Sequence, residues 1–258
     1  MNWDDRLYYY FFDSGSSTVH LDKYSLEKKV KLDKVINLSG VTYNSERNSL
    51  FLITNNPTEL IETDKAGTVI SKYKLEGFKD TEGLCFMPSG ELVILEERVQ
   101  TLSIFNLPKR DEAIHKKDAL KLIEVSVYDQ DNKEFEGVSY SPEHKSFYLV
   151  KEKNPPSLLR LEYDHSSFSI KNVSDFQTPY LEDFSDIYCK SDGLLILSDE
   201  SALLSETSFS GEMQSFLELD QGFNGLDSKI PQAEGVCLDD NGKLYIVSEP
   251  NLLYIYSK

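Results

Sequence analysis

The sequence predicts an all-β fold: a five-bladed β-propeller forming one domain over residues 1–258. Three observations carry that prediction. The first is a hairpin at Asp80–Arg98, DTEGLCFMPSGELVILEER, in which apolar strands at Leu84–Met87 and Glu91–Leu95 flank a Pro88–Gly90 turn. The second is recurrence. Ser39-Gly40-Val41, Glu136-Gly137-Val138, Ser185-Asp186-Ile187 and Glu234-Gly235-Val236 each lead through a turn into a second apolar run, as Glu82-Gly83-Leu84 does. The anchors Gly40, Gly83, Gly137, Asp186 and Gly235 are separated by 43, 54, 49 and 49 residues. A period of about 40–50 residues with several short strands per repeat is that of a propeller blade. The third is the last repeat, which stops at Asn251–Ser257, its third strand. A strand from residues 5–32, with 24–32 favoured, is expected to complete that blade and leave only short edges.

The elements follow in order. Arg6–Asp13 reads as an aromatic strand, Ser14–Thr18 as a loop, and Tyr24–Leu32 alternates like an outer strand. The first repeat has its hairpin at 38–56, its third strand at Glu59–Thr63 and its fourth at Thr68–Leu75, after a turn at Asp64–Gly67. In the second, these strands are Thr101–Leu107 and Leu120–Tyr128, with a helix candidate at Asp111–Leu122. In the third they are Ser157–Tyr163 and Phe168–Val173. In the fourth they are Ala202–Phe209 and Glu212–Leu219, joined through Ser210-Gly211. Gln221–Pro231 is a loop into the last repeat.

Composition narrows the function. With 44 acidic residues against 27 basic ones the net charge is −17, so a basic face for nucleic acid is excluded. The three cysteines, Cys85, Cys189 and Cys237, lie in first strands without CxxC spacing and read as small buried apolar residues. The longest apolar run, Leu7–Phe12, is six residues. A spanning helix needs about 20. The N-terminus lacks the basic start and apolar core of a signal peptide. The expectation is a cytoplasmic protein, or an exported or periplasmic one if a signal or anchor was removed.

The assembled motifs resemble the SdiA-regulated family of bacterial β-propellers. The likeness rests on DTEG with LEER at 80–98, NKEFEG at 132–137, DFSDI with LSDES at 183–201, and IPQAEGV followed by LYIVSEPNLLYIY at 230–256. It runs from about residue 35 to the end. It implies a five-bladed propeller, distantly similar to NHL-repeat propellers, with a calcium site. It implies no settled reaction. Members of this family are often exported or membrane-anchored, and this sequence shows no such segment.

The residues themselves point to a cation site. In a propeller the first strand of each blade lines the central channel. Glu82, Glu136 and Glu234 stand just before the anchor glycine, at one mouth, with Ser39 and Ser185 in the equivalent places and Asp186 one residue further on. Carboxylates converging on a narrow axis raise one another's pKa or demand a cation. An all-oxygen cage suits Ca²⁺ better than Mg²⁺. Alternatively, each Glu accepts hydrogen bonds from backbone N–H groups of the next blade and acts as a staple. A second acidic column, Glu97, Glu152, Glu200 and Glu249, either lines the same mouth or pairs with Arg98, Lys151 and Lys153. The candidate metal ligands are therefore Glu82, Glu136, Glu234, Asp186, Glu97, Glu200 and Glu249. Asp239-Asp240-Asn241-Gly242 lacks the spacing of a calcium loop and reads as a hairpin turn. The four histidines fall outside the repeated columns, so neither a zinc site nor a Ser-His-Asp triad is supported.

The functional expectation is a calcium-binding propeller acting as a binding or signalling-associated protein. Its partners would be a calcium ion and a small molecule or protein at the channel mouth. The alternative is a metal-dependent hydrolase of esterase or phosphatase type. There the ion would polarise an ester or phosphoryl oxygen, with Glu97 or Glu200 as base.

Overall fold

Middle strands of this chain are apolar runs without alternation, a pattern that burial on both faces explains. Ser49–Thr54 is buried at every residue, and so is Gly193–Ser198. Outer strands alternate instead, as Val69–Glu76 does. The computed structural model describes residues 16–125, 135–153, 155–164, 167–172, 176 and 178–258. It arranges the strands as five antiparallel blades around one axis.

The first strand in the chain, β1 (Ser25–Lys31), belongs to the last blade. Blade one is β2 (Leu38–Asn44), β3 (Ser49–Thr54), β4 (Glu59–Thr63) and β5 (Val69–Glu76). Blade two is β6 (Thr81–Phe86), β7 (Leu92–Glu96), β8 (Thr101–Phe105) and β10 (Lys121–Glu124). Between them, β9 (Ile114–His115) runs parallel to β5 and adds a fifth strand to blade one. Blade three is β11 (Phe135–Ser141), β12 (Ser146–Lys151), β13 (Ser157–Tyr163) and β14 (Phe168–Asn172). Blade four is β15 (Asp186–Lys190), β16 (Gly193–Ser198), β17 (Leu203–Thr207) and β18 (Met213–Glu218). Blade five is β19 (Ala233–Leu238), β20 (Leu244–Ser248) and β21 (Leu252–Ser257), with β1 as its outer strand.

β1 pairs antiparallel with β21, from Ser25 opposite Ser257 to Lys31 opposite Leu252. Its free edge carries Lys28, Lys29 and Lys31, a charge pattern that discourages further strand addition. The inner strands adjoin in the cycle β2, β6, β11, β15, β19 and back to β2. Packing follows the same cycle. Five clusters of buried side chains among the described residues each join two successive blades. One of them sets Leu50, Leu52 and Ile61 of blade one against Tyr245, Val247 and Leu253 of blade five.

The helix expected at Asp111–Leu122 is not formed. That segment holds the short strand β9, a 3-10 turn at Lys116–Asp118 and the start of β10. Its apolar residues serve different neighbours: Ile114 is buried against blades one and two, while Leu122 is exposed. One apolar face of a helix could not satisfy both. The expected strand Arg6–Asp13 and the ends of Leu120–Tyr128 and Phe168–Val173 lie outside the described residues. The turn at Asp239–Gly242 is a hairpin turn, closed by the Gly242 N–H on the Asp239 carbonyl at 2.9 Å. The Asp239 carboxylate accepts the N–H groups of Asn241 and Lys243. The three cysteines are free thiols, two of them buried.

Candidate functional site at the channel mouth

A shared backbone irregularity builds the mouth. In β2, β6, β11 and β19 the pairing register slips by one residue immediately before the anchor glycine. Ser39, Glu82, Glu136 and Glu234 are therefore left out of the ladder and turned away from it. A bulge re-aims a side chain in this way. In blade four the Ser185 N–H bonds to the Leu197 carbonyl, the residue Asp186 also faces. The anchor glycines let the inner strands touch. A Cβ on Gly83 would stand 3.1 Å from the Glu136 carbonyl, and one on Gly235 would stand 2.7 Å from the Val41 nitrogen. The second distance is shorter than real Cβ contacts, and the first is tighter than nine in ten of them.

Blade four differs, because its anchor is Asp186. That side chain is buried, and its Oδ2 accepts the Val236 N–H of blade five at 2.8 Å. A Cβ on Gly137 of blade three would meet Asp186 Oδ1 at 2.5 Å. Asp186 thus fits between blades three and five and works as a staple, the role the sequence left open for the glutamates. Burial holds its carboxyl well above the ordinary range.

The three ring glutamates are set apart by electrostatics. Burial pushes Glu82 up to about 7, with Glu97, Asp80 and Glu249 adding to the rise. Glu136 is pushed up to about 10 by burial and then by Glu82, Glu97, Glu234 and Glu152. Glu234 is pushed up to about 8 by burial and then by Glu249, Glu82, Asp199 and Glu152. The cycle of inner strands sets Glu82, Glu136 and Glu234 at one end of the channel, where Glu82 raises both of the others. Glu82 accepts a hydrogen bond from Asn55 Nδ2. Among the described residues no lysine or arginine forms an ion pair with any of the three.

The second column divides. Lys153 bridges Glu152 and Glu200, each at 2.7 Å. Arg98 pairs with Asp80 at 2.6 Å. Glu97 raises Glu82 and Glu136, and Glu249 raises Glu82 and Glu234. Among the described residues no three His, Cys, Asp or Glu side chains stand as a ready cage for a metal ion. The donor chemistry nevertheless fits a hard cation. The ring is all oxygen, and its charges raise one another.

Below the ring, Val41, Leu84, Val138, Ile187 and Val236 occupy the position after each anchor and are all buried. They form an apolar layer beneath the glycines.

Asp183, Glu62 and Glu206 are among the buried carboxylates that escaped sequence reasoning. Asp183 accepts hydrogen bonds from the Ser198 hydroxyl and from the Glu200 N–H, the latter at 3.1 Å. Glu62 is gripped by Arg110, Arg47, Tyr73 and Ser49. Burial pushes its carboxyl up, but these partners outweigh it and hold it at about 2. Glu206 is likewise held at about 2. Burial opposes ionisation there, while the Ser17 and Ser215 hydroxyls and the Val19 and Thr18 N–H groups favour it. A signal existed. ELIET at 59–63 and LLSET at 203–207 both end their third strand in Glu-Thr, and each Glu faces a Ser across the ladder, Ser71 or Ser215.

The fold has broad likenesses. A glutaminyl cyclase from Myxococcus xanthus superposes with a TM-score of 0.64 at 9% identity, covering 91% of this chain and 95% of that one. A gluconolactonase from Xanthomonas campestris gives 0.58 at 11%, covering 93% and 92%. The WD40 propeller domain of Doa1 gives 0.54 at 11%, covering 92% and 97%. Identities this low show a common fold alone. The family model described as SdiA-regulated matches residues 16–257. With nearly the whole described propeller inside that match, this chain belongs to the SdiA-regulated family.

Proposed function

We propose that the channel mouth binds a calcium ion and that the protein works as a calcium-dependent binding or signalling-associated propeller. The observation that carries this reading is the trio Glu82, Glu136 and Glu234, pushed up to about 7, 10 and 8 by burial first and then by acidic neighbours, Glu82 among them for the other two. A divalent cation relieves that repulsion and lets all three ionise. Glu97 and Glu249, which raise the trio, complete an oxygen shell of the flexible kind Ca²⁺ accepts. Asp186 and Glu200, already engaged with Val236 and Lys153, support the site from outside it. The test is calorimetric titration of chelator-treated protein, with melting followed in parallel. Ca²⁺ binding to the folded state alone stabilises it by about 2.7 kcal/mol at 100 times the dissociation constant. Mg²⁺ should do less, because it holds its waters and wants a stricter octahedron. No heat of binding and unchanged melting would leave the glutamates as structural groups.

One observation favours a second reading. Glu82 is pushed up to about 7, which suits a general base working near neutral pH. The fold likeness to a glutaminyl cyclase and a gluconolactonase is compatible with chemistry at this mouth. In that reading the protein is a metal-dependent hydrolase of esterase or phosphatase type. Turnover of an ester, lactone or phosphomonoester that disappears in Glu82→Gln would support it.

A further inference from the structure

The far mouth of the channel, on the other side of the apolar layer, opens into a recess of about 530 Å³. That volume lies within the range of small-molecule sites. The same repeat position furnishes its wall. Three residues beyond the anchor stand Tyr43, Phe86, Tyr140 and Leu238, and in blade four Tyr188 lies two beyond. All five are half-buried, on inner strands otherwise mostly buried. A β-strand directs large apolar groups inward for packing, yet these rings border open space.

The rings are held in place. Phe86 packs edge-on to Phe51 with centroids 5.2 Å apart, and Tyr140 meets Phe147 at 4.9 Å. The Tyr43 hydroxyl bonds to Asn48 Oδ1 at 3.0 Å and lies 3.4 Å from Asp240 Oδ2. A fixed aromatic wall loses little entropy on binding. Charge then selects the ligand. Among the described lining residues Glu46 and Asp240 are acidic and none is a lysine or arginine. Outside the lining, Lys65 Nζ lies 5.7 Å from the Tyr43 ring centroid and pairs with Asp239. Aromatic faces attract cations, more strongly as water is excluded.

We propose that this recess is a second binding site, for a small organic cation with an apolar or aromatic body, such as a quaternary ammonium. Phe86, Tyr140 and Tyr188 take the body and the cationic head by ring contact, Tyr43, whose ring already carries Lys65, closes the wall, and Asp240 and Glu46 draw the charge to the rim. Val41, Leu84, Val138, Ile187 and Val236 line this recess and lie along the inner strands between its rings and the carboxylate ring. The proposal does not depend on the calcium reading.

The probe is phenyltrimethylammonium, titrated against the full chain by ligand-observed saturation-transfer NMR, with benzoate and benzyl alcohol as anionic and neutral controls. The cation should bind, benzoate should not, and benzyl alcohol should bind more weakly than the cation. Tyr140→Leu keeps an apolar side chain without the π-face and should weaken binding about tenfold. Asp240→Asn alters an exposed carboxylate, so it leaves the fold intact and should also weaken binding. It decides the matter if Tyr140→Leu fails to fold. Glu82→Gln, at the opposite mouth, should leave probe binding at the recess unchanged. Absence of transfer at millimolar probe would overturn the proposal. So would equal binding of benzoate, or binding that ignores Asp240→Asn but vanishes in Glu82→Gln.

Discussion

Glu136→Gln is the substitution with the sharpest expected signature, because its effect should change sign with calcium. In the fold the Glu136 carboxyl is pushed up to about 10 by burial and its acidic neighbours, against an ordinary value of 4.5. Between those values the folded chain holds one proton more than the unfolded chain. Stability is therefore fully present below about pH 4.5 and is lost as pH rises toward 10, by about 1.4 kcal/mol per pH unit. From pH 5 to pH 7 this one group accounts for about 3 kcal/mol. Glutamine keeps the shape and has no proton to hold, so in chelator at pH 7 the variant should be the more stable by about that amount. For a chain of this size that is on the order of 5–10 °C in Tm. Its melting should also depend less on pH between 5 and 8. In saturating Ca²⁺ the order reverses in consequence: the wild type gains stability from the ion, and the variant, short of one ligand charge, gains less. Differential scanning calorimetry at four pH values, with chelator and with Ca²⁺, reads both effects. A variant that melts at or below wild type in chelator, with an unchanged pH slope, would refute the reasoning.

Three other outcomes are expected. Gly137→Ala places a Cβ 2.5 Å from Asp186 Oδ1 and 2.7 Å from its Cα, so denaturant titration should show a loss of about 2–3 kcal/mol. Glu62 and Glu206, both held at about 2, contribute stability that is present above pH 4.5 and lost as pH falls toward 2. Glu206→Gln should flatten that acid limb in a pH titration and cost on the order of 3 kcal/mol at pH 7. Deleting residues 1–32 removes β1 from β21 and takes away Ser17–Val19, which hold Glu206. The truncated chain should aggregate in light scattering. A monomer as heat-stable as the full chain would show that β1 contributes nothing to ring closure.

The ring of blades was legible because one position per repeat is constrained by close backbone approach. Only a residue without a side chain fits where Gly40 meets Glu82 and where Gly235 meets Val41. That requirement prints an evenly spaced anchor into the sequence. The glutamate before it was legible for the same reason, as a neighbour of a fixed point. The segment 111–122 was not legible. Its apolar residues are divided between a two-residue parallel strand and an outer strand, and both pairings are non-local. Nor were Glu62 and Glu206 legible as buried ions. Their partners Arg110 and Ser17 come from 48 and 189 residues away. The Glu-Thr strand end with a facing Ser marks each position, but no local pattern announces a contact across that distance.

The bulge explains why the two acidic roles separate as they do. A regular ladder would keep the residue before each anchor paired with its neighbouring strand. With the register slipped by one, Glu82, Glu136 and Glu234 leave the ladder at the same end of their inner strands. Asp186 stays in register, opposite Leu197, and its carboxylate finds the Val236 N–H instead. One residue of register thus decides whether an acid joins the field of the mouth or fastens two blades. Inserting a glycine before Asp186 is the wrong way to recruit it. The side chain is the right length for Val236 only where it now stands, and the contact with Gly137 leaves no slack. The carboxylates free to respond to an ion are those the bulge releases, and their mutual repulsion is what an ion would relieve.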